Sequence, residues 1–181
     1  MNKKRQQLID IASMLFYKNG INSIGINEIL NVSGIAKKTL YNHFESKEAL
    51  IMAVLEQRHN HFISWIEEKL EGVNSNKELV NCLFIALESW FLNSEPTLGD
   101  FHGCFFINST AEFSGSNHRI SIFCRKHKHQ VRQVIARSMI NKSPLLLDAI
   151  CIIKEGVITS AYVENDTSTA RKGISVLEKF V

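Results

Sequence analysis

Apolar residues recur along these 181 positions with the spacing of amphipathic helices, and no segment alternates with the period of two that a half-buried strand requires. Only 2 prolines interrupt the pattern. A chain so written is restricted to an all-α fold, and its punctuation marks out about nine helices. In the first, Leu8, Ala12, Leu15 and Phe16 share a face, and Lys18-Asn19-Gly20 closes it with glycine at the left-handed position. A short second helix, residues 26–32, offers Ile26, Ile29 and Leu30. Ser33-Gly34-Ile35 then turns the chain into a third, residues 37–44, and Ser46 is placed to cap a fourth.

The fourth helix, residues 47–70, is long. At ~1.5 Å per residue it spans roughly 35 Å, enough to join one domain rigidly to another. Leu50, Val54, Leu55, Phe62, Trp65 and Ile66 line one side, with Arg58 inside that stripe. Further helices are expected at residues 77–92, 104–113 and up to 140, the last after the break Ser114-Gly115-Ser116-Asn117. Pro144 suits the first turn of an eighth, and Asp166 or Thr167 can cap a ninth.

No apolar run approaches the ~18 residues of a membrane span. The basic start, Met1 to Gln7, leads into a stretch containing Asp10 and Ser13 without a small-residue cleavage site, so the expected location is the cytoplasm. Cys82, Cys104, Cys124 and Cys151 form no CxxC pair and match no zinc spacing, which fits small buried hydrophobes in a reducing compartment. The net charge of +3 is uneven. Residues 1–50 carry seven Lys or Arg against four acids, and the rest carries fourteen of each sign. All excess positive charge thus lies in the first quarter, as expected of a part that meets phosphates.

Two short helices joined by a glycine-containing turn are a DNA-reading unit. In the third helix, steps of about 100° bring Leu40 and Phe44 together toward the core. Lys38, Thr39 and Asn42 point the opposite way, and Lys37, Tyr41 and His43 sit on the flanks. That surface combines cations, hydroxyls, an amide and an imidazole without one carboxylate, a set that donates to phosphates and to base edges. Ile35 and Leu40 can form a hydrophobic staple at the helix start. Lys47 can join free N–H groups at the start of the fourth helix in holding a phosphate.

The stretch Gly34-Ile35-Ala36-Lys37-Lys38-Thr39-Leu40-Tyr41-Asn42-His43-Phe44-Glu45-Ser46-Lys47-Glu48-Ala49-Leu50, together with Phe16, Gly20 and Ile29, resembles the signature of the tetracycline-repressor (TetR) family. The resemblance covers about residues 5–52. It implies a helix-turn-helix DNA-binding domain over residues 1–50 and a helical ligand-binding and dimerisation domain over residues 51–181. It also implies DNA contacts from Lys37, Tyr41, Asn42, His43 and Lys47, with Lys38 and Thr39 beside them. Ala36 stands where the family often has Ser, and Gly25 where it often has Thr or Ser, so neither helix start carries a capping hydroxyl.

By the same resemblance the chain is a transcription regulator, usually a repressor, released from double-stranded operator DNA by a small-molecule effector. Phe62, Trp65, Phe105, Asn108, Glu112, Phe123 and His127 are candidates for a mostly apolar effector cavity with a few orienting polar groups. Equally, they fit an ordinary core in which Arg58, Asn108, Glu112 and His127 satisfy one another. The seventh helix carries a basic stripe of Arg125, Lys128, His129 and Arg132, expected as solvated surface. Leu145, Leu146, Ile150, Ile153, Val157 and Ile158, then Ile174, Val176, Leu177 and Phe180, offer apolar surface for a homodimer through helices eight and nine. An alternative regulator senses oxidants through Cys104 and Cys124 with the same DNA-binding end. An enzyme is not expected, since HExxH, GxSxG and Gly-rich phosphate loops are all missing, and neither a cofactor nor a metal is expected.

Overall fold

The computed structural model describes residues 3–113, 115 and 117–181. Of the expectations above, those on Met1, Asn2, Ser114 and Ser116 lie outside the described residues. Among the described residues the chain is all α: α1 (Lys3–Asn19), α2 (Ile26–Ser33), α3 (Lys37–His43), α4 (Lys47–Lys69), α5 (Asn76–Phe91), α6 (Phe105–Glu112), α7 (Arg119–Ser138), α8 (Pro144–Glu164) and α9 (Thr169–Leu177).

Local chemistry sets the helix ends. Gly20, at φ +85°, closes α1 by donating its N–H to the Phe16 carbonyl at 2.9 Å. Ser46 Oγ accepts from Ala49 N–H at 3.1 Å and starts α4. Ser75 Oγ accepts from Glu78 N–H at 3.1 Å while Glu78 reaches back to Asn74 N–H at 2.7 Å, which fixes the start of α5 from both directions. Ser143 caps α8 ahead of Pro144, and Asn165, left-handed at φ 54°, ends it. At α9 the N-cap is Ser168 rather than Asp166 or Thr167. Asp166 instead accepts from the Ser168 N–H and Oγ–H just before the helix, and Lys172 with these bonds holds its carboxyl down at about 2.

Contacts gather the chain into two compact units. The first comprises Met1–Asn60 with Phe105–Cys124, and the second His61–Cys104 with Arg125–Val181. A division near residue 50 is therefore not where the packing changes. The first unit continues along α4 to Asn60 and takes in α6, because side chains on α6 engage the α1 region directly. Within it α1 packs on α2 and α3, and α2 on α3, over buried Leu8, Ile9, Ala12, Phe16, Ile29 and Leu40. In the second unit α9 packs on both α5 and α8. Its core includes Leu79, Leu83, Phe84, Leu87, Trp90, Ile150, Ile158 and Leu177. No helix among the described residues is long and apolar enough to cross a membrane.

Candidate nucleic-acid interface

The candidate interface is built on α3 and the turn that delivers it. Gly34 ends α2 in the left-handed conformation at φ 65°, where only glycine is free of strain, and its N–H bonds the Leu30 carbonyl at 2.9 Å. Ser33 Oγ accepts from Ile35 N–H at 3.2 Å, and Gln7 Nε2 on α1 donates to the Ser33 carbonyl at 3.0 Å. The turn is thereby tied to α1. Ile35, Leu40 and Phe44 are buried, so α3 is fixed by its apolar side. Neither Gly25 nor Ala36 makes a side-chain cap, as their residue types dictate.

With that side anchored, the other is open. Lys37, Lys38, Tyr41 and Asn42 are exposed, and Thr39 and His43 are half-buried at the margins. Within the helix this surface holds no carboxylate. Six of the seven residues expected to meet DNA thus share one short helix. Arg5, part of the basic start, sits over the Phe44 ring with its guanidinium carbon 5.1 Å from the centroid.

Lys47, the seventh, is placed differently. Its Nζ donates to the Ile21 carbonyl at 2.7 Å and lies 5.7 Å from the centroid of the Phe16 ring. Burial lowers its pKa from the ordinary lysine value, while the negative charge of Glu112 acts in the opposite sense. Here Lys47 ties the first turn of α4 to the segment after α1, rather than standing free for a phosphate.

The residues expected around an effector are divided between the two units, and each group is described within its own unit. In the second unit Phe62 stacks near Trp65 (ring centroids 5.2 Å apart), Trp90 (5.8 Å) and His127 (5.5 Å). His127 is only 2% exposed in this aromatic cluster. Trp65 Nε1 donates to Glu95 at 2.9 Å, and Glu95 is also paired with Lys69. In the first unit Phe105 packs on Tyr17 at 5.5 Å, Tyr17 carries the Arg58 guanidinium at 4.5 Å, and Phe123 meets His59 at 5.9 Å. Asn108 is half-buried there. Glu112 engages backbone with both carboxylate oxygens, accepting from Ile21 N–H at 2.9 Å and Asn22 N–H at 2.6 Å. A polar residue on the face of a short helix reads alike whether it meets a ligand or another segment of the chain.

Sequence reasoning missed a charged cluster in the second unit. Lys128 Nζ lies 3.2 Å from Cys104 Sγ and 2.6 Å from Glu155, and Glu155 also pairs with buried Lys154. With Arg132 bonded to Asp148 at 2.7 Å, the expected basic stripe of α7 is partly neutralised by acids of α8. An open groove of about 290 Å³ lies between the end of α7 and the start of α8, lined by Met139, Leu147 and Pro144 among others. Its two cations are spent, Arg132 on Asp148 and Lys142 on the last carbonyls of α7. Among the described residues no group of three or more His, Cys, Asp or Glu is placed to hold a metal.

Residues 8–54 match the family model described as "Bacterial regulatory proteins, tetR family". The chain is 31% identical over 90 residues to the HTH-type transcriptional activator FasR of Mycolicibacterium smegmatis, covering 50% of this chain and 40% of that protein. It is 34% identical over 70 residues to the HTH-type transcriptional regulator UidR of Escherichia coli, covering 39% and 36%. These matches span less than half of either relative. Over nearly its whole length the fold is similar to that of SCO4454, a TetR-family transcriptional regulator from Streptomyces coelicolor, at TM-score 0.86 and 20% identity, covering 98% of this chain and 95% of that one.

Proposed function

By its residues 8–54 the chain belongs to the tetR family of bacterial regulatory proteins, and from that premise we propose that it is a transcription regulator that binds operator DNA as a homodimer and is released by a small-molecule effector. The observation that carries this reading is the exposed surface of Lys37, Lys38, Tyr41 and Asn42 on a helix anchored by Leu40. Lysines neutralise phosphates, and an asparagine amide pairs in bidentate fashion with adenine in the major groove. Thr39 and His43, at the margins, suit backbone contacts.

The dimer is supported by α8. Leu145, Ile152 and Val163 are 68%, 72% and 74% exposed, and with Ala149, Gly156 and Thr159 they recur at alternating steps of four and three. That is the seam of a two-helix packing, and Val176 and Phe180 add exposed apolar surface near α9. Two copies related by a two-fold axis present two α3 helices to half-sites about 34–36 Å apart. The effector reading is supported by the buried aromatic group of Phe62 and Trp65 with His127 as its polar member, side chains whose chemistry suits a mostly apolar ligand.

Footprinting on the DNA adjoining its own gene tests the proposal. The purified protein should protect a palindromic site, with affinity falling steeply as salt rises. Asn42→Ala should relax discrimination at one base position per half-site by about 1–3 kcal/mol. Binding that is equal on unrelated sequences would reject sequence-specific regulation.

A second reading is favoured by one contact, Lys128 Nζ 3.2 Å from Cys104 Sγ, which sets a cation beside a candidate sensor thiol. In it an oxidant replaces the small-molecule effector. Of the pair expected to act together, Cys104 belongs to the second unit and Cys124 to the first, and both are buried and outside any disulfide. If Cys104→Ser protein leaves DNA on peroxide treatment as the parent does, this reading fails.

A further inference from the structure

Residue Glu112 ends α6, and its side chain engages a segment 90 residues earlier. Each oxygen takes one backbone N–H of the loop that follows Gly20: Oε1 from Ile21 at 2.9 Å and Oε2 from Asn22 at 2.6 Å. Asn22 Nδ2 returns a bond to the Glu112 backbone carbonyl at 3.5 Å, satisfying a carbonyl at the helix end. From the other side Lys47 Nζ holds the carbonyl of the same Ile21 at 2.7 Å. The segment is therefore gripped twice, by a carboxylate on its N–H groups and by an ammonium on its carbonyl. The ammonium belongs to the first residue of α4, four positions after α3 ends at His43. Gly20 is required by its backbone rather than by crowding. A Cβ there would lie 3.4 Å from Glu112 Oε1, at a backbone φ of +85° that already disfavours any side chain.

We infer that Glu112 is the positioning residue of the DNA-reading helix: it fixes the segment between α1 and α2, and through Lys47 the start of α4, so that α3 is held in one stance. The inference rests on the DNA-binding reading above and goes beyond it. Charge-assisted bonds to two successive N–H groups constrain direction as well as distance, so the grip resists rotation of the segment. A dimer whose reading helices are each held in one stance tolerates only one half-site separation. Loosening the grip leaves the base contacts of α3 intact but lets each copy wander.

The test uses the whole dimer and synthetic duplexes. Wild-type protein first selects its palindrome from a random duplex library, and duplexes are then made with the two half-sites moved apart or together by one and two base pairs. Glu112→Gln keeps the side-chain volume but replaces one acceptor by an amide donor facing an N–H. On the selected spacing it should bind about ten-fold more weakly. On altered spacings the difference should shrink to within about two-fold, with the preferred bases unchanged. Equal weakening at every spacing would mean a general loss of folded protein and would overturn the positioning role, as would binding identical to wild type throughout. Amide hydrogen exchange on the unaltered protein gives an independent reading. Ile21 and Asn22 should be protected, and exchange at the rate of free loops overturns the role whatever the variant does. A wild-type chain that selects no sequence would overturn the DNA-binding reading itself, and this role with it.

Discussion

Single residues carry the charges that hold the second unit together, and Glu155 is one that pairs with two cations. It accepts from Lys128 at 2.6 Å and from Lys154, whose side chain is buried. Burial pushes the Glu155 carboxyl up, but the charges of Lys154 and Lys128 and their hydrogen bonds outweigh it and leave the group below its ordinary value. Lys128 is displaced upward: burial lowers it, and the Cys104 and Glu155 partners more than compensate. A carboxyl held low in the folded state stabilises the protein above its unfolded value of about 4.3, and that stabilisation disappears as pH falls through the lower folded value. Replacing it by Gln strands two ammonium groups, one of them buried. We expect Glu155→Gln to unfold about 2–4 kcal/mol more easily at pH 7. The gap to wild type should narrow in denaturant melts taken below about pH 4. A gap that stays the same from pH 7 to pH 3 would show that the carboxylate charge is not what stabilises this cluster.

Helices and their caps were the part most legible in the sequence, because the signals that start and stop them are local. Gly20, Ser46 and Pro144 each do in space what their residue types and positions dictate, and observed bounds fall within about two residues of those expected. The open side of α3 was legible for the same reason, since seven residues and a helical period decide it. What escaped was every fact that depends on a distant partner. Lys47 reads as a free cation until Ile21 is found at its tip, Glu112 as a cavity acid until the α1–α2 segment is found on it, and α6 as part of the later chain until Phe105 meets Tyr17. Close approach between helices is equally hidden. Gly173 lies inside α9, where Ala would ordinarily gain up to about 1 kcal/mol of helix propensity. A Cβ there would stand 2.6 Å from Phe84 Cε1 and 3.1 Å from Val157 Cγ1, and Phe84 is fully buried. Packing therefore wins over propensity: Gly173→Ala should destabilise by about 1–3 kcal/mol in thermal or chemical melts. A stabilised variant would mean that α9 does not sit this close to α5 and α8.

For the whole molecule, the proposed regulation of a palindrome requires two copies, and the surface proposed to join them is the exposed stripe of α8. One copy leaves Leu145, Ile152 and Val163 in water at more than two-thirds exposure, along with the smaller Ala149, Gly156 and Thr159 between them. Small residues at intermediate positions let helix backbones approach, and the large ones then pack beside them. Ile152 lies midway along the stripe, so a charge there would be desolvated at the centre of the contact with nothing to pair it. Ile152→Glu should convert the protein to a monomer in sedimentation experiments while leaving its helix content unchanged, because the side chain supports no part of the core within one copy. The same variant should lose affinity for the full palindrome by a factor of at least about 100, since two linked half-site contacts become two independent ones. Its affinity for an isolated half-site should match that of wild type, because α3 lies far from α8 in the chain and is anchored by its own apolar side. A variant that stays dimeric would move the interface off this stripe, and one that becomes monomeric yet keeps full affinity for the palindrome would remove the need for a dimer altogether.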